Sequence, residues 1–176
     1  ESYGYLGADF VRDKDGNMAA VMFAEVAAYA KSVGKTIAGL LDDIYSEFGF
    51  HLEDGKAMVM EGAEGAAQIK ALNDSYSNTP PTEVDGVAVS RVRDFAKEQF
   101  EDSEGDSLPS AGMLIVELED GRSFAVRPSG TEPKIKFYLF GKDAPSDDLA
   151  ASKQKVRDGL VSLWSALEAD AQARMG

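Results

Sequence analysis

A chain of 176 residues, 44% hydrophobic and 28% charged, has room for one domain and part of another and the composition of a globular protein. Its 31 acidic against 18 basic side chains leave a net charge of −13 at pH 7, which repels nucleic-acid backbone and anionic membrane surface alike. The absence of cysteine and a single histidine, His51, exclude disulfides, thiolate metal sites and histidine-rich centres; with no apolar run near the roughly 20 residues of a membrane span, a reducing cytoplasm is the expected location.

The opening, Glu1-Ser2-Tyr3-Gly4-Tyr5-Leu6-Gly7, carries no initiator methionine and reads as the inside of a loop, so a longer parent is expected. After a turn cluster at residues 11–17, residues 18–33 form a helix that is apolar nearly all round, and such a helix expects burial on more than one side. Thr36 is placed to cap a second helix over 37–48, with Ile37, Leu40, Leu41, Ile44, Tyr45 and Phe48 as its stripe. Two such helices want a sheet beneath them, which is expected in sequence preceding these residues. From residue 50 the texture changes. The pattern predicts a short strand at 55–60, a helix at 64–76, a stiff connector at 78–82 and one strand within 84–95. A polar loop at 101–110 leads to a hairpin of 113–118 and 123–127 around Asp120-Gly121, then to a strand at 134–140. Ser146, Asp147 and Asp148 open a last helix with Val156, Leu160, Leu163, Trp164 and Leu167 on one face. The order predicts an α+β domain with helices on one side of an antiparallel sheet.

The segment richest in chemistry is Arg127-Pro128-Ser129-Gly130-Thr131-Glu132-Pro133-Lys134-Ile135-Lys136, between two strands. Arg127 offers a planar charged fork matched to phosphate oxygens, and Ser129 and Thr131 offer hydroxyl donors. Gly130 is expected at positive φ, where successive amides turn inward as an anion nest, with prolines stiffening both shoulders. Within residues 122–142 the cations Arg122, Arg127, Lys134, Lys136 and Lys142 face Glu132 alone, and this reads as one basic patch on an acidic body. Ordinary turns use the same residues.

The decapeptide closely resembles the phosphate-binding loop of the phosphohexomutase family, which includes phosphoglucomutases and phosphomannomutases. Glu1-Ser2-Tyr3-Gly4-Tyr5 resembles the end of that family's sugar-recognition loop, and Val11-Arg12-Asp13-Lys14-Asp15-Gly16 before an alanine-rich helix is similar to the next segment of the family's chains. The resemblance implies that residues 1–49 are the tail of the family's third domain. Residues 50–176 would be its fourth, of TATA-box-binding-protein-like fold. It implies that Arg127, Ser129, Gly130, Thr131 and, less centrally, Lys136 hold the non-reacting phosphate of a hexose phosphate or bisphosphate, and that Ser2 and Glu1 contact the sugar. The serine loop and the aspartate loop that holds Mg²⁺ in that family have no counterpart in these residues. Asp13 and Asp15 are too few for a cation cage. The chain by itself is therefore expected to be inert, with a stand-alone module for phosphorylated ligands as the alternative. Apolar surface on 18–48 is expected to drive self-association.

Overall fold

The computed structural model describes residues 6, 7, 13 and 15–176. They fall into two compact units, one running to Gly49 and taking in Ala144–Leu149, the other built from Phe50–Asp143 and Ala150–Gly176.

The first unit holds α1 (Gly16–Ser32) and α2 (Ile37–Phe48). Helix α1 begins two residues ahead of its apolar run because the Asp15 carboxylate accepts the amides of Asn17 at 2.9 Å and Met18 at 3.3 Å. Thr36 caps α2 as its sequence predicts, its hydroxyl accepting the Gly39 amide at 3.0 Å. The expectation of burial on several sides is not met. Ala30 is the one buried residue of α1 and α2 has none, while Val21, Phe23, Tyr29, Ile44 and Phe48 are each more than half exposed. The described residues of this unit contain no sheet for the two helices to cover.

The second unit runs β1 (Phe50–Val59), α3 (Gly62–Asn78), β2 (Glu83–Val84), β3 (Val87–Asp94), β4 (Leu114–Leu118), β5 (Ser123–Pro128), β6 (Lys134–Asp143) and α4 (Leu149–Met175). Its strands form one antiparallel sheet in the order β1-β6-β5-β4-β3-β2. Strand β1 is longer than its sequence predicts. Glu53, Asp54 and Gly55 are poor strand formers, but β6 pairs with β1 along its whole length, from Phe50 opposite Asp143 to Val59 opposite Lys134. The single strand expected in 84–95 is a hairpin instead. Asp85 (φ 54°) and Gly86 (φ 72°) take the two left-handed positions of a two-residue turn, as an Asp-Gly pair does readily. Helix α4 starts three residues beyond Ser146, whose hydroxyl accepts the Asp148 amide at 3.1 Å.

Both helices lie on one face of the sheet. Ile69, Leu72 and Tyr76 of α3 and Leu160, Leu163, Leu167 and Ala171 of α4 bury Val116, Phe124, Val126, Ile135, Phe137 and Leu139 beneath them. Phe137 sits at the centre, edge-on to Tyr76 at 6.0 Å and to Trp164 at 5.6 Å. This is the α+β arrangement, with helices on one side, that the pattern predicts.

Arg122 ties the sheet's turns to α4. Its Nη1 donates to Asp85 at 2.6 Å and to the Gly159 carbonyl at 2.8 Å, and its Nε to Asp120 at 2.7 Å. Burial by itself would raise the Asp85 carboxyl, but hydrogen bonds from Arg122 and Ser162 and the attraction of the guanidinium outweigh it and hold Asp85 below the usual carboxylate range. A lowered folded pKa contributes stability that is complete above the ordinary carboxyl value and is lost as pH falls through the folded one. Asp85→Asn keeps a residue tolerant of left-handed backbone and removes the charge. It is expected to cost about 1–2 kcal/mol in urea unfolding at neutral pH, with the difference from wild type shrinking below about pH 4. A pH-independent difference would assign the loss to turn geometry.

Candidate functional site

The loop Ser129–Pro133 (residues 129–133) joins β5 to β6 at one edge of the helix-covered layer. The Ser129 amide donates to the Lys134 carbonyl at 2.9 Å and the Lys134 amide to the Glu132 carbonyl at 2.8 Å, a tight turn centred on Pro133, whose fixed φ suits it. The Met60 amide donates to the Pro133 carbonyl at 2.9 Å, so the end of β1 holds the loop's far shoulder. Gly130 does not take the positive φ expected of it. The reversal is made at Pro133, and no left-handed residue is needed. A nest of alternating left- and right-handed residues is thus not what this loop forms.

What it does present is a set of donors. The amides of Gly130, Thr131 and Glu132 and the hydroxyls of Ser129 and Thr131 have no protein partner among the described residues. Gly130, Thr131 and Glu132 are exposed, Ser129 half-buried. A Cβ placed on Gly130 would meet nothing within 4 Å, so the backbone there is open to close approach.

Arg127 and Lys136 are direct register partners on β5 and β6. Strand β6 alternates strictly, with Ile135, Phe137 and Leu139 buried and Lys134, Lys136 and Tyr138 half-buried on the other face, so Arg127 and Lys136 stand side by side on the face that α3 and α4 leave uncovered. Arg127 is exposed and has no carboxylate partner among the described residues. Glu132, the loop's one anion, pairs with Lys134 at 2.8 Å. The basic patch read from the sequence is therefore smaller than its five cations: Arg122 is consumed by Asp85 and Asp120, and Lys142 lies at the far end of β6, opposite His51. On the helical side the loop borders a cavity of about 320 Å³ lined by Ala66, Ile69, Lys70 and Asn73 of α3.

Glu1 and Ser2 lie outside the described residues. The residues present do not fit a resident Mg²⁺: Asp15 spends its carboxylate on the α1 cap, and no group of three acidic or histidine side chains converges among the described residues.

An antiparallel sheet with helices on one face is the α+β arrangement that the resemblance implies for a fourth domain of TATA-box-binding-protein-like fold. The family profile described as "Phosphoglucomutase/phosphomannomutase, C-terminal domain" matches residues 56–158, and the chain belongs to that family. A phosphoglucomutase of Staphylococcus haemolyticus (strain JCSC1435) is 39% identical over 144 residues, covering 79% of this chain and 26% of that protein. A phosphoglucomutase of Staphylococcus aureus (strain bovine RF122 / ET3-1) is 34% identical over 167 residues, covering 92% of this chain and 30% of that protein. The open-form crystal structure of pp63/parafusin, a phosphoglucomutase from Paramecium, aligns with 89% of this chain and 28% of its own at a TM-score of 0.48 and 15% identity. The chain spans under a third of the length of these relatives.

Gly65 connects packing to the loop. A Cβ there would lie 2.1 Å from the Met60 carbonyl oxygen, and Met60 is the residue that anchors Pro133. Gly65→Ala is expected to destabilise the second unit by about 2 kcal/mol or more in chemical denaturation, because a backbone atom has to move. A change under about 0.5 kcal/mol would show that α3 adjusts without cost.

Proposed function

We propose that this chain is the phosphate-gripping C-terminal part of a phosphoglucomutase- or phosphomannomutase-type isomerase of the cytoplasm. On this reading Arg127, Ser129, Gly130, Thr131 and Lys136 hold the non-reacting phosphate of a hexose phosphate or bisphosphate while the other phosphate is transferred. Residues 1–49 end the third domain, 50–176 form the fourth, and Glu1 and Ser2 contact the sugar. The observation that carries the proposal is the set of donors at one loop, three amides and two hydroxyls with no partner among the described residues, beside an exposed Arg127 with no carboxylate partner among them. These groups are what a tetrahedral dianion takes up, and family membership supplies the dianion.

The chemistry divides accordingly. A phosphate held by charge-assisted hydrogen bonds at the far end of a sugar is fixed in position without being activated, which lets its binding energy orient the reacting end. On this reading the loop residues donate hydrogen bonds and positive charge to the phosphate. Mg²⁺ and the phosphorylated nucleophile belong, in this proposal, to the rest of the enzyme, and the chain by itself is expected to turn over no glucose 1-phosphate.

Titrating inorganic phosphate and glucose 1-phosphate into the chain, followed by calorimetry or amide chemical shifts, tests the assignment. Arg127→Ala is expected to weaken both by about 10- to 100-fold, corresponding to roughly 1.5–3 kcal/mol for a charged hydrogen bond. Its unfolding free energy is expected to stay within about 0.5 kcal/mol of wild type, since Arg127 is exposed and unpaired. Equal binding by both proteins would refute the loop assignment. Binding of phosphopeptides in preference to sugar phosphates would favour the stand-alone module.

The exposed apolar faces of α1 and α2 carry a second part of the proposal, self-association of the isolated chain through residues 18–48. Sedimentation velocity is expected to show a weight-average mass that rises with concentration, and the double variant Ile44→Asp, Phe48→Ser is expected to abolish the rise. A concentration-independent monomer would remove this part without touching the loop.

A further inference from the structure

Lys134 stands outside the five residues assigned to the grip, yet its backbone closes the loop from both sides. Its carbonyl accepts the Ser129 amide at 2.9 Å and its own amide donates to the Glu132 carbonyl at 2.8 Å. The first of these bonds carries the β5–β6 pairing one position past Pro128 and Ile135, so the backbones of Ser129 and Lys134 lie opposite each other. On β6, Lys134 comes two residues before the register partner of Arg127, hence on the same uncovered face and about 6.7 Å along the strands. Two adjoining rows of that face therefore each bring a cation to the loop.

The Lys134 ammonium is also held in place. It pairs with the Glu132 carboxylate at 2.8 Å, and its side chain is 24% exposed where that of Lys70 on α3 is 77% exposed. An ammonium has three donors, and Glu132 is its one partner among the described residues, so donors remain unspent. A lysine normally gives up much rotamer freedom when it grips a ligand. An ion pair that already fixes the stem removes part of that cost. Glu132 also contributes one of the loop's open amides, so its carboxylate keeps the ammonium at the loop.

We propose that Lys134 is a further phosphate-binding residue of this loop and that Glu132 is its positioning residue, a pair of roles that rests on the phosphate reading above. The ammonium donates to an oxygen of the phosphate held by Arg127 and the loop, while Glu132 keeps one of its N–H groups. Arg127 supplies a planar fork and Lys134 a point charge. The one anion of the loop then serves anion binding, by fixing the place of a cation.

The test is a set of variants of the full chain, titrated with inorganic phosphate and glucose 1-phosphate. Lys134→Met by itself would leave a bare carboxylate at the loop, so the comparison starts from Glu132→Gln and adds Lys134→Met to it. The added substitution is expected to weaken both ligands about 3- to 10-fold with an unchanged urea midpoint, and Lys134→Arg in the wild-type background to bind at least as tightly as wild type. Equal affinity of Glu132→Gln and the double variant would show that Lys134 merely neutralises Glu132, and weakening that comes with a lower urea midpoint would assign it to the loop's structure; either overturns the binding role. Glu132→Asp keeps the charge and withdraws the carboxylate by one methylene, and is expected to weaken both ligands about 2- to 5-fold. Unchanged binding in Glu132→Asp overturns the positioning role. All of these failures leave the grip standing, whereas phosphate binding that survives Arg127→Ala overturns the grip and both roles with it.

Discussion

The alternation of β6 governs the second unit. Ile135, Phe137 and Leu139 point to the helices and are fully buried, while Lys134, Lys136 and Tyr138 point away. Strand β6 is also paired on both edges, with β1 on one side along its whole length and β5 on the other. A slip of one residue would drive lysines into the core and expose Phe137, so the hydrophobic demand that fixes the core also fixes which side chains reach the open face. Which side chains share that open face is a by-product of a packing constraint.

Charge is sorted by the same architecture. The protein is acidic overall, yet its basic side chains do different work according to position. Arg122 is sheltered and holds three structural acceptors at once, so it serves the fold. Arg127, five residues on and next to last in β5, lies exposed beside Lys136, with no carboxylate partner among the described residues. Glu132 is kept from cancelling that charge by Lys134. An excess of acid over the chain as a whole disfavours polyanions.

The chain belongs to the phosphoglucomutase/phosphomannomutase family and spans under a third of the length of the relatives it matches. The loop at 129–133 is held by prolines at both shoulders, by the Met60 amide at the end of β1 and by a helix-backed sheet.

The sequence by itself determined everything carried by local pattern. Thr36 as a cap, the Asp120-Gly121 turn, the apolar alternation of residues 135–139 and the Arg127–Lys136 motif were all legible, because each depends on neighbours within a few positions. Asp85-Gly86 carries the same kind of turn signal as Asp120-Gly121, but the valines on both sides of it read as one continuous strand and mask it. What only the tertiary structure decided depends on partners distant in the chain. β6 recruited Glu53 and Asp54 into a strand against their propensities. Pro133 made the turn that Gly130 was expected to make. Arg122 was withdrawn from the basic patch by Asp85, a residue 37 positions away. The apolar surface of α1 was legible as surface that wants a partner, but not what covers it, since hydrophobic pattern states a demand for burial and says nothing of the element that meets it.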